Sequence, residues 1–481
     1  MRNRWVSGVA MALTLAGCGD GGGSGSGTGP TSTTGSASTT GGGGTTGCTL
    51  RERQDWALAQ LREWYLFPET LPASLDPSGY SDLSSYIDAL TATARSQRRD
   101  RFFTYLTTIS GEDAFNNSGA SAGIGVRLTT DAVAGRAYIA EAYEGAPGLA
   151  AGLDRGTEIL AIGTSTADLR SVASIIATDG TAGVSNALGP NTAGTTRLLR
   201  VTDPARGQRD VTVTKADYSL APVSSRYGAK IIDDGGRKVG YVNLRTFIGT
   251  ADAPLRQAFA DFRAAGVTNV ILDFRYNGGG LVSIAELIGD LLGGARSTSD
   301  VLDYTTFRTE KAANNSTRFF QPQAQSVAPM KLAVIGTGST ASASELVLNA
   351  QIPYLHANVA LIGTNTFGKP VGQIALDRPA CNDRFRVIAF ATQNAARQGN
   401  YYDGLATVVE ASCRAADDLT HQLGDPAEGS TRAALNFIAG VSCSSISSGD
   451  VGLQSLGATG KREMLTPADP DTAQRQAPGT F

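Results

Sequence analysis

Apolar positions along the chain fall into three regimes. In residues 49–66, Trp56, Leu58, Leu61, Trp64 and Tyr65 recur near helical spacing, and residues 86–94 continue in the same style, which predicts a small helical domain before residue 110. From Ser121 the pattern changes to short apolar runs broken by glycine, at 122–126, 137–140 and, after Gly156, 158–162. This predicts a small, strand-rich module. Beyond Val239 strand and helix patterns alternate: strand 240–244, a helix near 255–264, strand 270–274, a glycine turn and helix 281–292, then strands at 332–335 and 359–362. Such alternation predicts a mostly parallel, buried sheet with helices packed on it.

With 481 residues, 41% of them apolar, the chain is long enough for about three domains. Its 41 Lys and Arg are spread along the sequence and slightly outnumbered by 44 Asp and Glu, so no basic face for nucleic acid is expected. Two histidines, His356 and His421, cannot make a three-histidine zinc site, and neither lies in an HExxH pattern. No metal or organic cofactor is called for.

Arg2 and Arg4 precede an apolar stretch, 6–15, with the polarity of a secretory signal and too short to span a bilayer. It ends in Leu15-Ala16-Gly17-Cys18, which resembles the bacterial lipobox, and residues 19–47 are almost wholly Gly, Ser and Thr. The expectation is a signal peptide over 1–17, then a lipidated Cys18 and flexible tether over 18–47. That places the protein in a bacterial cell envelope, on the periplasmic side or the surface. Gly19, rather than aspartate, favours the outer membrane. The remaining cysteines, Cys48, Cys381, Cys413 and Cys443, are even in number, so an exported chain is expected to form two disulfides. Three pairings are open; Cys413 with Cys443 and Cys48 with Cys381 is preferred, since the first would clip the carboxy-terminal helical segment. Free buried thiols are the alternative.

Within the strand-rich module, Gly123-Ile124-Gly125-Val126, the turn Glu144-Gly145-Ala146-Pro147 and Gly156-Thr157-Glu158-Ile159 follow one another in an order that resembles a PDZ domain. The resemblance implies a loop at Gly123, Ile124, Gly125 and Val126 whose N–H groups bind a peptide carboxylate while the peptide adds a strand to the sheet edge. Thr157 stands where such domains usually carry aspartate.

Two residues could do chemistry. Ser342 follows strand 332–335 and a glycine-rich stretch, immediately before an apolar helix. Ser342-x-x-Glu345 reads equally as a capping box, with hydroxyl and carboxylate satisfying N–H groups at a helix start. A hydroxyl where a buried strand meets a helix also sits beside unpaired N–H donors able to hold an oxyanion. A nucleophilic serine needs a base, and no GxSxG, SxxK or histidine arrangement surrounds this one. Lys369, on the glycine turn after strand 359–362, is a candidate, since burial lowers an amine's pKa from about 10.4 toward a general base's range. Arginine could not serve. The chain uses 7 Lys against 34 Arg, so a lysine here is a less casual choice, although a surface lysine on a turn is the bland alternative. Gln373 could orient the amine or be a polar strand residue.

Taken together, Asp273-Phe274-Arg275-Tyr276-Asn277-Gly278-Gly279-Gly280, then Ser342-Ala343-Ser344-Glu345, then Thr366-Phe367-Gly368-Lys369 and Gln373 resemble the carboxy-terminal processing peptidases, or tail-specific proteases. The upstream Asp-x-x-x-Tyr signature of that family has a counterpart in Asp100 to Tyr105. The resemblance implies Ser342 as nucleophile, Lys369 as general base, Gln373 as its positioning residue, and an oxyanion hole from the N–H groups of Ala343 and Gly279. It implies an α/β peptidase core of repeated strand-helix units, ClpP- or crotonase-like, over 218–444. Around it would lie an N-terminal helical domain (48–109), an inserted PDZ-like β-rich domain (110–217) and a tail (445–481). The function implied is serine endopeptidase, acting on protein or peptide substrates near their C-termini. A non-catalytic peptide- or lipid-binding protein on the same fold is the rival. Two departures are visible: the interval from Ser342 to Lys369 is about two residues long for the family, and Pro370 replaces its usual glycine.

Overall fold

A computed structural model describes residues 47–447 and 462–481. The expected signal peptide, Cys18 and the tether up to residue 46 lie outside the described residues. No helix among the described residues is long and apolar enough to cross a membrane.

The strand-helix alternation builds a six-stranded sheet in the order Ala229–Asp234, Arg237–Asn243, Asn269–Asp273, Lys331–Gly336, Val359–Gly363, Ala411–Arg414. Only the first pair is antiparallel; the other four are parallel. Because both faces are covered, the strands read as apolar runs rather than alternating patterns. One face packs Val242, Leu272, Val334 and Leu361 against helices Asp252–Ala264, Val282–Leu292 and Ala343–Leu355. The other packs Ile271, Ala333 and Ile362 against Ala434, Leu435 and Ile438 of helix Gly429–Ala439. The expected strands and helices of this region are all present, each within about three residues of the expected bounds.

A second, five-stranded antiparallel sheet was not foreseen. It joins Tyr105–Thr108, Asp383–Gln393, Val301–Phe307, Ser316–Phe319 and Val371–Arg378. Its pairings are distant in sequence, so no local period announces them. The N-terminal helices Leu50–Trp64 and Leu83–Leu90 bury Ala57, Leu61, Tyr86 and Ile87 against Val371, Phe385, Val387 and Ile388 of this sheet. The helical region thus shares a core with the strand that carries Gln373.

The β-rich module contains Val126–Asp131, Arg136–Ala142, Glu158–Gly163, Thr196–Asp203 and Gly207–Thr214, with helix Val172–Leu188 packed on it. Its outermost strand is Arg462–Met464, paired antiparallel with Val126–Asp131. Arg462–Met464, within the 445–481 segment expected as a tail, are therefore part of a sheet.

Two disulfides join Cys48 to Cys381 and Cys413 to Cys443, the preferred pairing. The first closes 333 residues and fastens the start of helix Leu50–Trp64 to the second sheet; the second closes 30. Loop-closure entropy grows with the logarithm of loop length, so Cys48→Ser with Cys381→Ser is expected to lose more stability than Cys413→Ser with Cys443→Ser, each costing ~2–5 kcal/mol. Thermal unfolding of the two double variants tests the order.

Candidate active site

Strand Lys331–Gly336 ends beneath a loop that delivers Ser342 to the start of helix Ala343–Leu355. The backbone of Ser342 lies at φ 56°, ψ −113°, a left-handed region that costs a non-glycine residue ~1–3 kcal/mol and persists only when its surroundings enforce it. Here they do. Ala341 N–H donates to Asn277 O at 3.0 Å, and Phe367 N–H to Thr340 O at 2.9 Å. Thr340 Oγ1 donates to Phe274 O at 2.8 Å, Ser344 Oγ to Asn277 O at 3.1 Å and Ser342 N–H to Glu345 Oε2 at 2.9 Å.

Glu345 does more than cap the helix. Its carboxylate is fully buried and also accepts from Gly368 N–H at 2.7 Å and Lys369 N–H at 2.8 Å. One side chain therefore ties the serine turn to the lysine turn. Burial raises its pKa, against the pull of a hydrogen bond from Thr366 and of these N–H donors. The capping and site interpretations of Ser342-x-x-Glu345 are compatible, because the two carboxylate oxygens serve both turns.

The lysine turn requires glycine at 368: φ is 88°, and a Cβ there would lie 2.4 Å from Tyr402 O. Arg101 Nη2 clamps the same turn from outside, donating to Phe367 O and Gly368 O, both at 2.6 Å. Lys369 is partly buried, and its Nζ donates to Gln373 Oε1 at 2.8 Å. Gln373 Nε2 in turn donates to Phe103 O, and the Phe103 ring lies 5.0 Å from Nζ. Desolvation lowers the pKa of Lys369 to about 8; Asp100 pulls it up, while Arg386 and Arg475 push it down. Asp100 is itself buried and accepts from Tyr65 O–H at 2.8 Å and Phe103 N–H at 2.8 Å. The Asp100 to Tyr105 stretch thus builds the wall behind the amine, a role the sequence did not reveal for the helical region.

Ser342, Lys369 and Gln373 line one cleft of about 1040 Å³, together with Gly278, Gly280 and Arg475. Among the described residues no hydrogen bond joins Ser342 Oγ to Lys369 Nζ, whose bond goes to Gln373.

The glycine loop approaches Ser342 closely. A Cβ on Gly279, at φ 107°, would lie 2.9 Å from Ser342 Cβ and 3.1 Å from Ala343 N. The N–H of Gly279 is not available as an oxyanion donor, because it donates to Asn277 Oδ1 at 2.9 Å. Among the described residues the N–H groups of Gly280 and Ala343 have no hydrogen-bond partner. Asn277 is the organiser, holding Leu244 O with its amide at 2.7 Å while its own carbonyl receives the serine loop. Before it, Arg275 is fully buried and forked between Asp273 and Glu428, at 2.9 Å and 2.8 Å, and also meets Asp417 at 3.0 Å. This explains the Asp-x-Arg-x-Asn spacing as turn architecture. Asn277, Glu345 and Arg101 could have been suspected only from their position beside the motifs.

Gly123, Ile124, Gly125 and Val126 lie at the edge of the β-rich module, where the N–H groups of Gly125 and Val126 donate to Phe481 O at 2.7 Å and 3.3 Å. Among the described residues, no group of three or more His, Cys, Asp or Glu is placed to hold a metal ion.

Residues 238–395, which span from the second strand of the parallel sheet through Gln373, match peptidase family S41. The chain is 29% identical over 276 residues to carboxyl-terminal-processing peptidase 3 of Arabidopsis thaliana, covering 56% of this chain and 49% of the relative. It is 26% identical over 265 residues to a carboxyl-terminal-processing protease of Picosynechococcus sp., covering 55% and 58%. The chain thus spans about half the length of the curated relatives it matches. A solved Bacteroides fragilis structure assigned to the S41 proteases shares the fold, at 23% identity and a TM-score of 0.61 over 80% of this chain and 97% of that one. The mixed α/β architecture agrees with that solved fold, and the family match across the serine and lysine turns, with these relatives, supports the carboxyl-terminal-processing peptidases as the family this chain resembles.

Proposed function

We propose that the protein is a serine endopeptidase that cleaves protein or peptide chains near their C-termini through a Ser342–Lys369 dyad. The observation that carries this is the Lys369 amine, withdrawn from water, bonded to Gln373 and depressed to about 8, in the same cleft as a strained serine. A neutral amine accepts the Ser342 hydroxyl proton as Oγ bonds to the scissile carbonyl carbon. The resulting oxyanion is met by the N–H groups of Ala343 and Gly280, both unengaged, at a helix start where the peptide dipoles favour negative charge. Collapse breaks the C–N bond, and the ammonium of Lys369 returns its proton to the leaving amine. Water, deprotonated by the same amine, then releases the acyl group from Ser342. Gln373 is a positioning residue, fixing the amine through its carbonyl oxygen.

The Gly123–Val126 loop is the seat for substrate tails, in the manner of a PDZ-like groove. The two disulfides suit an oxidising compartment, and the relatives include chloroplastic enzymes, so export is part of the proposal. Attachment through a lipidated Cys18 to the outer membrane rests on the lipobox resemblance alone, and metabolic labelling with a fatty-acid analogue in wild type and Cys18→Ser tests it.

Cleavage of casein or a tagged peptide by wild type, Ser342→Ala and Lys369→Ala decides the catalytic proposal. Equal background turnover in all three would leave a non-catalytic peptide or lipid carrier in its place. The active form carries neutral Lys369, so kcat/KM is expected to rise with pH, tenfold per unit well below the midpoint, and to level off above about 8. A profile that is flat or falls between pH 6 and 9 would refute an amine base.

A further inference from the structure

Strand Val126–Asp131 would be the edge of its sheet without residues 462–481, and an open edge is a template for another strand. The segment fills it end to end. Arg462–Met464 pair with Thr129 to Asp131, Leu465 N–H donates to Leu128 O at 3.0 Å, and Leu128 N–H donates to Gly479 O at 2.8 Å. Phe481 N–H donates to Val126 O at 3.0 Å, and Phe481 O receives the N–H groups of Gly125 and Val126. Gly123 leaves no room for a side chain: its Cβ would lie 2.6 Å from the Phe481 carbonyl carbon.

Side chains complete the fit. Phe481, 2% exposed, packs in the cluster containing Ile124, Val126, Val184 and Leu188, between the loop and helix Val172–Leu188. Thr480 Oγ1 meets Tyr143 O–H at 2.8 Å, both buried, and Gln474 Nε2 donates to Thr480 O at 3.0 Å. The same segment reaches the serine site. Gly278 N–H donates to Gln476 O at 2.9 Å, and Arg127 Nη1 donates both to Pro478 O at 3.2 Å and to Tyr276 O, just before Asn277.

We infer that Gly479-Thr480-Phe481 is an in-cis ligand of the peptide seat, which a substrate tail ending in a bulky apolar residue must displace to bind. This deepens the proposed function and rests on its account of the Gly123–Val126 loop as a peptide seat. Two elements make it a competitor rather than a fixed strand: it uses the loop's N–H groups, and it fills the apolar pocket that would select the last residue of a tail. An intramolecular occupant acts at high effective concentration, so external peptide binds more weakly by the fraction of seats left open. Pro478, the residue before this occupant, accepts from Arg127, which also holds Tyr276 O just before Asn277, so the occupant's departure is felt beside the Ser342 site.

The test is read in chains that carry Ser342→Ala, so hydrolysis plays no part. The probe is a fluorescein-labelled peptide ending in Ala-Pro-Gly-Thr-Phe with a free carboxylate, followed by anisotropy. Phe481→Asp places a charge in the apolar pocket and is expected to tighten probe binding at least tenfold; adding Ile124→Asp is expected to abolish the gain. A probe ending in Asp is expected not to bind either chain. If circular dichroism finds Phe481→Asp unfolded, Phe481→Ala must give at least threefold tighter binding. An unchanged Kd in the folded variant, or a gain that survives Ile124→Asp, overturns the inference. An inactive wild type whose peptide seat tightens in Phe481→Asp would sink the catalytic proposal alone, and an active one with unchanged Kd would sink this inference alone.

Discussion

Lys369→Arg is expected to lower kcat as severely as Lys369→Ala, by about 10²–10⁴-fold, the usual contribution of a positioned general base. The comparison separates base from charge. If Lys369 served as a cation to attract a substrate carboxylate, arginine would substitute for it and KM would carry the effect. As a base it must lose its proton, which a guanidinium does not do in water-accessible pH. The surroundings already favour loss: burial is the largest influence on the amine and disfavours its charge, with Asp100 opposing. Folding of both variants is expected to persist, because removing a partly buried amine leaves only Gln373 Oε1 without its donor. Retention of more than about a tenth of wild-type kcat by Lys369→Arg would refute the base assignment.

Glu345→Ala is expected to be the most damaging single substitution at a residue that never touches substrate. Its carboxylate takes N–H groups from Ser342, Gly368 and Lys369, all in or beside the buried junction of two turns. Truncation strands three donors, and at ~1–3 kcal/mol for each unsatisfied buried group the loss of stability is about 3 kcal/mol or more. That corresponds to a Tm lower by ~10 °C in a domain of this size. Glu345→Gln separates stability from positioning. Its amide keeps the shape and can accept at one end, but turns a donor toward either Gly368 N–H or the pair from Ser342 and Lys369. A misplacement of 1 Å can cost ~10²-fold in rate, so kcat is expected to fall by about that factor with a smaller loss of Tm. Near-normal kcat in Glu345→Gln would mean that the two turns hold their geometry without this bridge.

The parts of the molecule that were legible in the sequence are those governed by local spacing. The parallel sheet was visible because each strand, such as Lys331–Gly336, is a short apolar run bounded by glycine or a helix pattern. Ser342 and Lys369 could be singled out because each follows such a strand at its carboxyl end. The pairing of Cys48 with Cys381, and the five-stranded sheet between Tyr105 and Gln393, depend on contacts between residues hundreds of positions apart. Nothing in a local window encodes them.

Gly279 illustrates the boundary. Its motif marked a glycine loop that approaches Ser342, yet which N–H is left free depends on where Asn277 Oδ1 points, and that is fixed by its amide bond to Leu244 O. Residues 462–481 illustrate it further. No local period marks them, because a strand that adds to a distant edge needs no periodic core face of its own; its hydrogen bonds come from Val126 and Leu128.

By itself, then, the sequence determined which residue types stand at the carboxyl ends of the core strands, since the alternation of strand and helix places them there. Tertiary structure alone decided that the Lys369 amine is partly buried beside Gln373, that Glu345 joins the two turns, and that Phe481 packs beside Gly125. Burial and the direction of a hydrogen bond are properties of neighbours brought together by folding, and no segment carries them before its neighbours arrive.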